Sequence, residues 1–208
     1  FKDKVYMSNL CQEITLPTTP VQHIDDENGE IALCILSAVN LGLIKDKDDL
    51  EELCDLSVRA LDEIIDYQEY PILAAKQSAQ SRRSLGIGYI GLAHYLAKNH
   101  VAYGDKEALE LVDETTEAFQ YYLLKASNNL AQEKGKCEYF EKTKYSDGIL
   151  PIDTYKKDLD KIVKRKLSYD WKQLRKDIQE HGLRHSTLSA QMPSESSSVV
   201  SNATNGIE

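Results

Sequence analysis

The chain has 208 residues, of which 41% are hydrophobic and 28% charged, a composition typical of a soluble globular domain. Its 25 lysines and arginines are outnumbered by 34 aspartates and glutamates, and the net charge of −9 argues against non-specific binding to nucleic acid or to an anionic membrane. Since no apolar run approaches the roughly 18 residues of a membrane helix and the N-terminus lacks a signal-peptide core, we expect a cytoplasmic protein.

Residues 5–16 are predicted to form a strand or an extended loop, which ends at a segment with prolines at 17 and 20. If this stretch is extended, alternate side chains share a face, so Asn9, Cys11 and Glu13 point the same way. An amide, a thiol and a carboxylate on one face could form a reactive site. The alternative interpretation is structural, because cysteine is often buried and Asn9 and Glu13 could serve a turn or the surface.

Residues 31–43 form an almost uninterrupted apolar run, which is typical of a strand buried on both faces in a parallel or mixed sheet. Cys34 would then lie in the middle of a strand. The cysteines, at positions 11, 34, 54 and 137, fit neither a disulfide framework nor paired zinc ligands. In a reducing compartment they are core residues or reactive thiols.

Apolar residues at helical spacing predict helices over residues 46–68 and 105–134, the latter about 45 Å long, and Pro71 can open another helix over residues 71–83. A further helix carries Trp171, Leu174 and Ile178 and ends at Gly182. Cys54 falls on the apolar stripe of the first of these helices. We interpret it as a small core residue.

The stretch at residues 84–91 is apolar and rich in glycine, and Gly86, Gly88 and Gly91 have the spacing of a dinucleotide-binding fingerprint. That fingerprint requires a preceding strand, whereas a predicted helix precedes this one. We therefore favour a strand or turn where backbones pack closely over a dinucleotide site.

Residues 183–192 are predicted to form a strand that leads into the serine turn, residues 194–198, with a helix beginning within residues 199–203. A strand, a serine-rich turn and a helix N-terminus together form the outline of a phosphate-binding cradle. An ordinary helix cap or loop is the alternative.

Three separated motifs resemble the large (alpha) subunit of class I ribonucleotide reductases. They are Tyr6-Met7-Ser8-Asn9-Leu10-Cys11-Gln12-Glu13-Ile14, the run from Asp26 to Cys34, and the run from Met192 to Glu208. The resemblance covers essentially the whole chain in order. It implies an α/β fold that is part of the family's ten-stranded α/β barrel, with Cys11 on a loop threaded into the centre. We expect residues 1–208 to be a single segment of that barrel, truncated at both ends.

The resemblance also implies roles for individual residues. Cys11 matches the thiol that becomes a transient thiyl radical, Glu13 the carboxylate that takes the proton of the ribose 3′-hydroxyl, and Asn9 the amide that binds ribose. Cys34 matches one thiol of a redox-active dithiol, whose other member lies upstream of this segment. The serine turn, through Ser194, Glu195, Ser196 and Ser197, matches the site of the substrate diphosphate.

The reaction implied is reduction of ribonucleoside diphosphates to deoxyribonucleotides, the precursors of DNA. The implied partners are a small (beta) subunit with a metal-dependent radical, the remaining segments of the large subunit, and thioredoxin or glutaredoxin. We expect no metal or cofactor within this segment, with ATP and deoxynucleotide effectors binding elsewhere, and we expect the isolated segment to be inactive. The alternatives are a cobalamin-dependent relative and a noncatalytic α/β module or half of a split enzyme.

Overall fold

The computed structural model describes residues 1–207. Strand β1, Ile35–Asn40, pairs in parallel with β2, Leu85–Ile90, with Ile35 opposite Leu85. Residues 187–190 run along the other side of β2, where the Leu85 and Ile87 amides donate to carbonyls of Thr187 and Leu188 at 3.1 and 2.7 Å. Because parallel strands need crossover connections, the helices between them complete an α/β architecture.

Within the described residues, six α-helices accompany the strands, together with several short 3₁₀ helices. They are α1 Asp49–Tyr67, α2 Leu73–Arg82, α3 Leu92–Lys98, α4 Lys106–Lys134, α5 Trp171–His181 and α6 Glu195–Val200. Periodicity predicted α1, α4 and α5, and Pro71 predicted α2, whereas α3 was not predicted. Within residues 1–207, no helix is both long and apolar enough to cross a membrane.

One face of the sheet packs against helices. Leu85, Ile87 and Tyr89 alternate along β2 and join the main core with residues of α1 and α4. Cys54 on α1 is fully buried in this core, which confirms its interpretation as a core residue.

The opposite face of β2 carries Gly86 and Gly88, and we call it the glycine face. A Cβ placed on Gly88 would lie 2.5 Å from the carbonyl oxygen of Ala190, and one on Gly86 would lie 2.6 Å from the end of Leu36. The interpretation of this stretch as a region of close backbone packing is therefore confirmed. Both glycines lie within a strand, not in a phosphate-binding turn after one.

The predicted strand at residues 31–43 is shorter than expected, and the placement of Cys34 in mid-strand is wrong. The strand begins at Ile35, because the amide of Ile31 donates to Ala74 at the start of α2 and leaves residues 31–34 outside the ladder with β2. The expectation of burial on both faces is also wrong, since Leu36 is 44% exposed.

Two other boundaries differ near the C-terminus. Residues 183–186 are not part of the sheet, because the Arg184 amide donates to Ser127 and the Ser186 amide donates to Arg82. The last helix begins at Glu195, not within residues 199–203, so most of the serine turn forms its first turn.

A buried ionic cluster joins α1 to the segment before residues 187–190. The fully buried Asp62 carboxylate accepts hydrogen bonds from Arg83 at 2.6 Å and lies 3.2 Å from Nε2 of His185, whose Nδ1 lies 2.9 Å from the hydroxyl of Ser127. Ser127, His185 and Asp62 are thus linked in the same order as the serine, histidine and aspartate of a hydrolytic triad. Since none of the three is accessible, we interpret the cluster as structural.

Candidate active site

A short hairpin, residues 8–15, carries Cys11, and we call it the Cys11 hairpin. Ser8 and Thr15 form an antiparallel bridge at its base, and the Asn9 side chain accepts a hydrogen bond from the Ile14 amide at 3.3 Å. Gln12 adopts a left-handed φ of 62°. The residues between the bridge partners therefore form a turn, so the expectation that Asn9, Cys11 and Glu13 alternate along an extended chain is wrong.

The tip of the hairpin projects away from the rest of the chain. Cys11 is exposed, and the adjacent Leu10 is 96% exposed. The structure thus places the Cys11 thiol on an accessible loop, between Asn9 and Glu13 in sequence.

The base of the hairpin meets Cys34. Ile14 and Leu16 form a small apolar cluster with Ala190, against which Cys34 packs. The amides of Thr19 and Glu30 donate to each other's carbonyls at 3.1 and 3.0 Å, which fixes the hairpin segment against residues 30–34. These contacts bring together two motifs that are about 20 residues apart in sequence.

A cleft of about 800 Å³ separates the hairpin from residues 30–34, and we call it the first cleft. Asn9 lines one wall and Cys34 lines the other. Most of the surrounding side chains are apolar, among them Met7, Leu10, Ile14, Leu16, Ile31 and Leu33. A few polar groups in an apolar cleft are typical of a small-molecule site.

Glu13 acts on Cys34 electrostatically. Burial raises the pKa of the Cys34 thiol, and the Glu13 carboxylate raises it further because a second negative charge nearby is unfavourable. One carboxylate oxygen of Glu13 is buried and has no hydrogen-bond partner within residues 1–207. A buried acceptor in this condition is suited to receive a hydroxyl group of a ligand.

In the serine turn, the hydrogen-bond donors available to a ligand are mainly backbone amides and not hydroxyls. The Ser194 hydroxyl donates to the Met192 carbonyl at 3.1 Å, and the hydroxyls of Ser197 and Ser198 donate to carbonyls within the turn at 3.1 and 2.8 Å. The amides of residues 195–197 form no hydrogen bond within the described part of the chain, as expected for the first turn of a helix. Anion binding here would depend on these amides and on the exposed Ser196 hydroxyl.

A second cleft, of about 400 Å³, lies between residues 192–197 and β1, where Leu36, Ser37 and Ala38 form its floor. Cys34 is two residues from Leu36, so their Cα atoms are at most about 7 Å apart. The two clefts are therefore neighbours along the chain, since residues 30–34 line the first cleft and residues 36–38 line the second.

Glu30 lines the first cleft, but sequence reasoning gave it no role. Its carboxylate accepts a hydrogen bond from the buried Arg82 guanidinium at 2.6 Å, and Asp3 accepts another at 2.8 Å. The signal was the pair Arg82-Arg83 directly before an apolar strand, since charged residues at such positions are usually paired. This ion pair anchors the wall of the cleft to the end of α2.

The other two cysteines lie in the core. Burial raises the pKa of both Cys54 and Cys137 to about 12, so neither thiol ionises readily. Among residues 1–207, no group of three or more histidine, cysteine, aspartate or glutamate side chains could hold a metal ion.

Comparisons with a family model and with known proteins indicate the same family. Residues 1–208 match the family model described as "Ribonucleotide reductase, barrel domain". The chain is 67% identical to the "Ribonucleoside-diphosphate reductase subunit alpha" of Haemophilus influenzae and 63% identical to the "Ribonucleoside-diphosphate reductase 1 subunit alpha" of Escherichia coli, each over 98% of the chain. Over the whole of this chain, it is 48% identical to the "Ribonucleoside-diphosphate reductase subunit alpha" of Enterobacteria phage T4. The chain spans 27% of the length of each relative.

Proposed function

The chain belongs to the ribonucleotide reductase barrel-domain family, and from this premise we propose that it is the catalytic segment of a ribonucleoside-diphosphate reductase large subunit. Its α/β architecture is part of the family's barrel. The observation that carries the proposal is that Asn9 and Cys34, from separate motifs, both line the first cleft, while the Glu13 carboxylate lies close enough to raise the pKa of Cys34.

Cys11 is proposed to start the reaction as a thiyl radical that takes the hydrogen atom from C3′ of the ribose. Its exposed position at the tip of a hairpin supports this role, because the thiol must meet both a substrate and a radical delivered from outside the segment. At the end of the cycle the same thiol returns a hydrogen atom to C3′.

Glu13 is proposed to take the proton of the 3′-hydroxyl, which helps the 2′-hydroxyl to leave as water once a thiol of the proposed dithiol has given it a proton. The buried carboxylate oxygen without a partner supports this role, since an acceptor of this kind can receive a hydroxyl hydrogen. Asn9 would bind the ribose through its amide nitrogen, because its amide oxygen already closes the turn.

Cys34 is proposed to supply reducing electrons as one half of a dithiol that becomes a disulfide in each turnover. Its raised pKa keeps the thiol protonated near neutral pH, so that it can deliver a proton together with electrons. The second thiol is proposed to lie outside this segment, since Cys54 and Cys137 are buried in the core.

The serine turn is proposed to bind the substrate diphosphate, through the amides of residues 195–197 and the Ser196 hydroxyl. Each hydrogen bond to a charged phosphate would contribute about 1.5–3 kcal/mol. Amide donors explain how a chain of net charge −9 could hold an anion without lysines. The exposed Glu195 side chain would contribute only its backbone.

The proposed partners are a small subunit that carries a metal-dependent radical, the remaining segments of the large subunit, and thioredoxin or glutaredoxin as reductant. We place the reaction in the cytoplasm, where unpaired cysteines such as these persist. ATP and deoxynucleotide effectors would bind outside this segment. Leu33, just before β1, and Leu36, within β1, are partly exposed, which supports docking of a further barrel strand.

The test is Cys11→Ser in the complete assembly of this chain, the remaining large-subunit segments and the radical subunit. We expect deoxynucleotide formation to stop while substrate binding stays within about twofold of the parent, because the hydroxyl is nearly isosteric but a poor radical source. Gln12→Asn is the control, since asparagine tolerates the left-handed backbone at that position. Multiple turnovers by the serine variant would exclude Cys11 from the chemistry.

The same assay tests whether the segment acts alone. We expect no turnover by the purified chain with nucleoside diphosphate, a dithiol and the radical subunit, because the second redox thiol has no candidate here. Turnover should appear only when the remaining segments are added. Activity in the first mixture would contradict the proposal.

A further inference from the structure

Helix α6 begins without a side-chain cap of its own. The N-cap residue, Ser194, turns its hydroxyl back to the carbonyl of Met192 at 3.1 Å instead of to an amide of the helix. The Ser194 amide is held separately, because it donates to Oδ1 of Asn205 at 3.1 Å. Ser194 itself is only 4% exposed, so an amide left without this acceptor would be costly.

Asn205 is itself fixed by the segment around it. The carbonyl of Thr204 accepts a hydrogen bond from the Gly91 amide at 2.9 Å, directly after β2, and the carbonyl of Ile207 accepts one from the Tyr103 hydroxyl at 2.8 Å. Residues 204–207 are thereby tied to the end of the sheet. The hydrogen bond between Asn205 and the Ser194 amide, 11 residues apart in sequence, therefore fixes Ser194 relative to the end of the sheet.

The residues that follow Ser194 are those that line the second cleft. Glu195, Ser196 and Ser197 carry the amides that form no hydrogen bond within residues 1–207. Because the direction of these amides follows from the backbone at Ser194, the contact with Asn205 decides where they point. A carboxamide is suited to this task, since it accepts a hydrogen bond without adding a negative charge beside an anion.

We infer that Asn205 is a positioning residue for the diphosphate of the substrate, acting through the Ser194 amide and not by contact with the reacting atoms. The inference rests on the proposed function of the serine turn. The inference predicts that loss of the Asn205 side chain weakens binding of the phosphate part of the substrate only. Binding of the nucleoside part, which has no contact with this turn in the proposal, stays unchanged.

The test uses Asn205→Ala in the complete reductase assembly. We expect KM for the nucleoside diphosphate to rise about three- to tenfold, equivalent to roughly 0.7–1.4 kcal/mol, with kcat changed by less than about twofold. Inhibition by the corresponding nucleoside should change by less than about twofold. Thr204→Ala is the matched control, because it shortens the neighbouring exposed side chain and keeps the backbone bond to Gly91.

Hydrogen exchange of the Ser194 amide provides the second measurement. This amide should exchange faster in Asn205→Ala and remain protected in Asn205→Asp, whose carboxylate still accepts the bond. Faster exchange with an unchanged KM would overturn the inference, as would an equal rise of KM in Thr204→Ala. If the parent assembly binds the nucleoside as tightly as the diphosphate, the proposed role of the serine turn itself fails. The exchange measurement would still report whether Asn205 orders Ser194.

Discussion

The Cys34 thiol, whose pKa is raised by burial, lies within electrostatic reach of the Glu13 carboxylate, which raises that pKa further. The two residues come from separate motifs and meet because the base of the Cys11 hairpin packs beside Cys34. A neutral thiol is therefore favoured next to an acceptor that has no other partner within residues 1–207.

Glu13→Gln is expected to lower the pKa of Cys34, since it removes the negative charge and leaves burial in place. Alkylation of Cys34 by iodoacetamide, followed as a function of pH by peptide mass spectrometry, should then begin at lower pH. Glu27→Gln is the control, because that acid is exposed in the same part of the chain. An unchanged pH profile in Glu13→Gln would mean that burial alone sets the pKa.

Cys34→Ser and Cys54→Ser should differ in their effect on turnover. In the complete assembly, Cys34→Ser is expected to bind substrate but to stop multiple-turnover reduction, because the proposed dithiol is incomplete. Cys54→Ser should retain most activity, since its sulfur only packs in the core, 3.9 Å from the carbonyl oxygen of Phe119. Multiple-turnover assays of the two variants compare them directly, and equal losses would show that Cys34 has no special role.

Gly88→Ala should destabilise the fold more than Gly86→Ala. The new Cβ at position 88 would lie 2.5 Å from the Ala190 carbonyl oxygen, and that backbone also holds the bond from the Ala190 amide to Ile87. We expect a loss of about 1–3 kcal/mol in unfolding free energy, the usual range for overpacking. At position 86 the Cβ meets the partly exposed tip of Leu36, which can turn away. Thermal unfolding of both chains measures the difference, and the opposite order would contradict it.

Asp62→Asn should destabilise the chain in a pH-dependent way. Burial alone would raise the pKa of Asp62, but hydrogen bonds from His185 and Arg83 outweigh it and hold the pKa well below its usual range. The carboxylate therefore stabilises the fold above its unfolded pKa of about 3.9, and this contribution is lost as the pH falls through the lowered native value. We expect a loss of about 3–5 kcal/mol at neutral pH, as for one partner of a buried pair, and a smaller difference in acid.

Urea unfolding at pH 7 and pH 3 measures this dependence. Asp66→Asn is the matched control, because Asp66 pairs with the same Arg83 but its side chain is 47% exposed. Its cost should not exceed about 1 kcal/mol. A difference between Asp62→Asn and the parent that is the same at both pH values would exclude this linkage.

Local patterns predicted the helices well, because periodicity depends only on neighbouring residues. The limits of β1 were harder to predict, since the apolar run continues on both sides of the strand and its start depends on a contact between Ile31 and Ala74. The turn at Asn9 was only the alternative interpretation, for a related reason. An asparagine side chain can bond a nearby backbone group, here the Ile14 amide, and that bond competes with an extended conformation.

The candidate site was predictable as a set of residues but not as an arrangement. The motifs identified Asn9, Glu13 and Cys34. That Asn9 and Cys34 line one cleft, and that Glu13 lies close enough to raise the pKa of Cys34, depends on packing between distant segments. The hydrogen bonds from the Ser194 amide to Asn205 and from Arg82 to Glu30 likewise join residues that are 11 and 52 positions apart. Residue type and spacing do not determine such pairings.

The glycine face has a consequence for how this protein should be mapped by mutagenesis. Gly86 and Gly88 contribute by having no side chain, since the close approach of the Leu36 side chain at Gly86 and of the Ala190 backbone at Gly88 depends on empty space at these positions. Alanine scanning detects residues whose side-chain atoms are needed, because it removes those atoms. It does not detect positions that must stay without a side chain, such as those of the glycine face. A scan that adds volume step by step, from glycine to alanine to valine, would outline this surface instead.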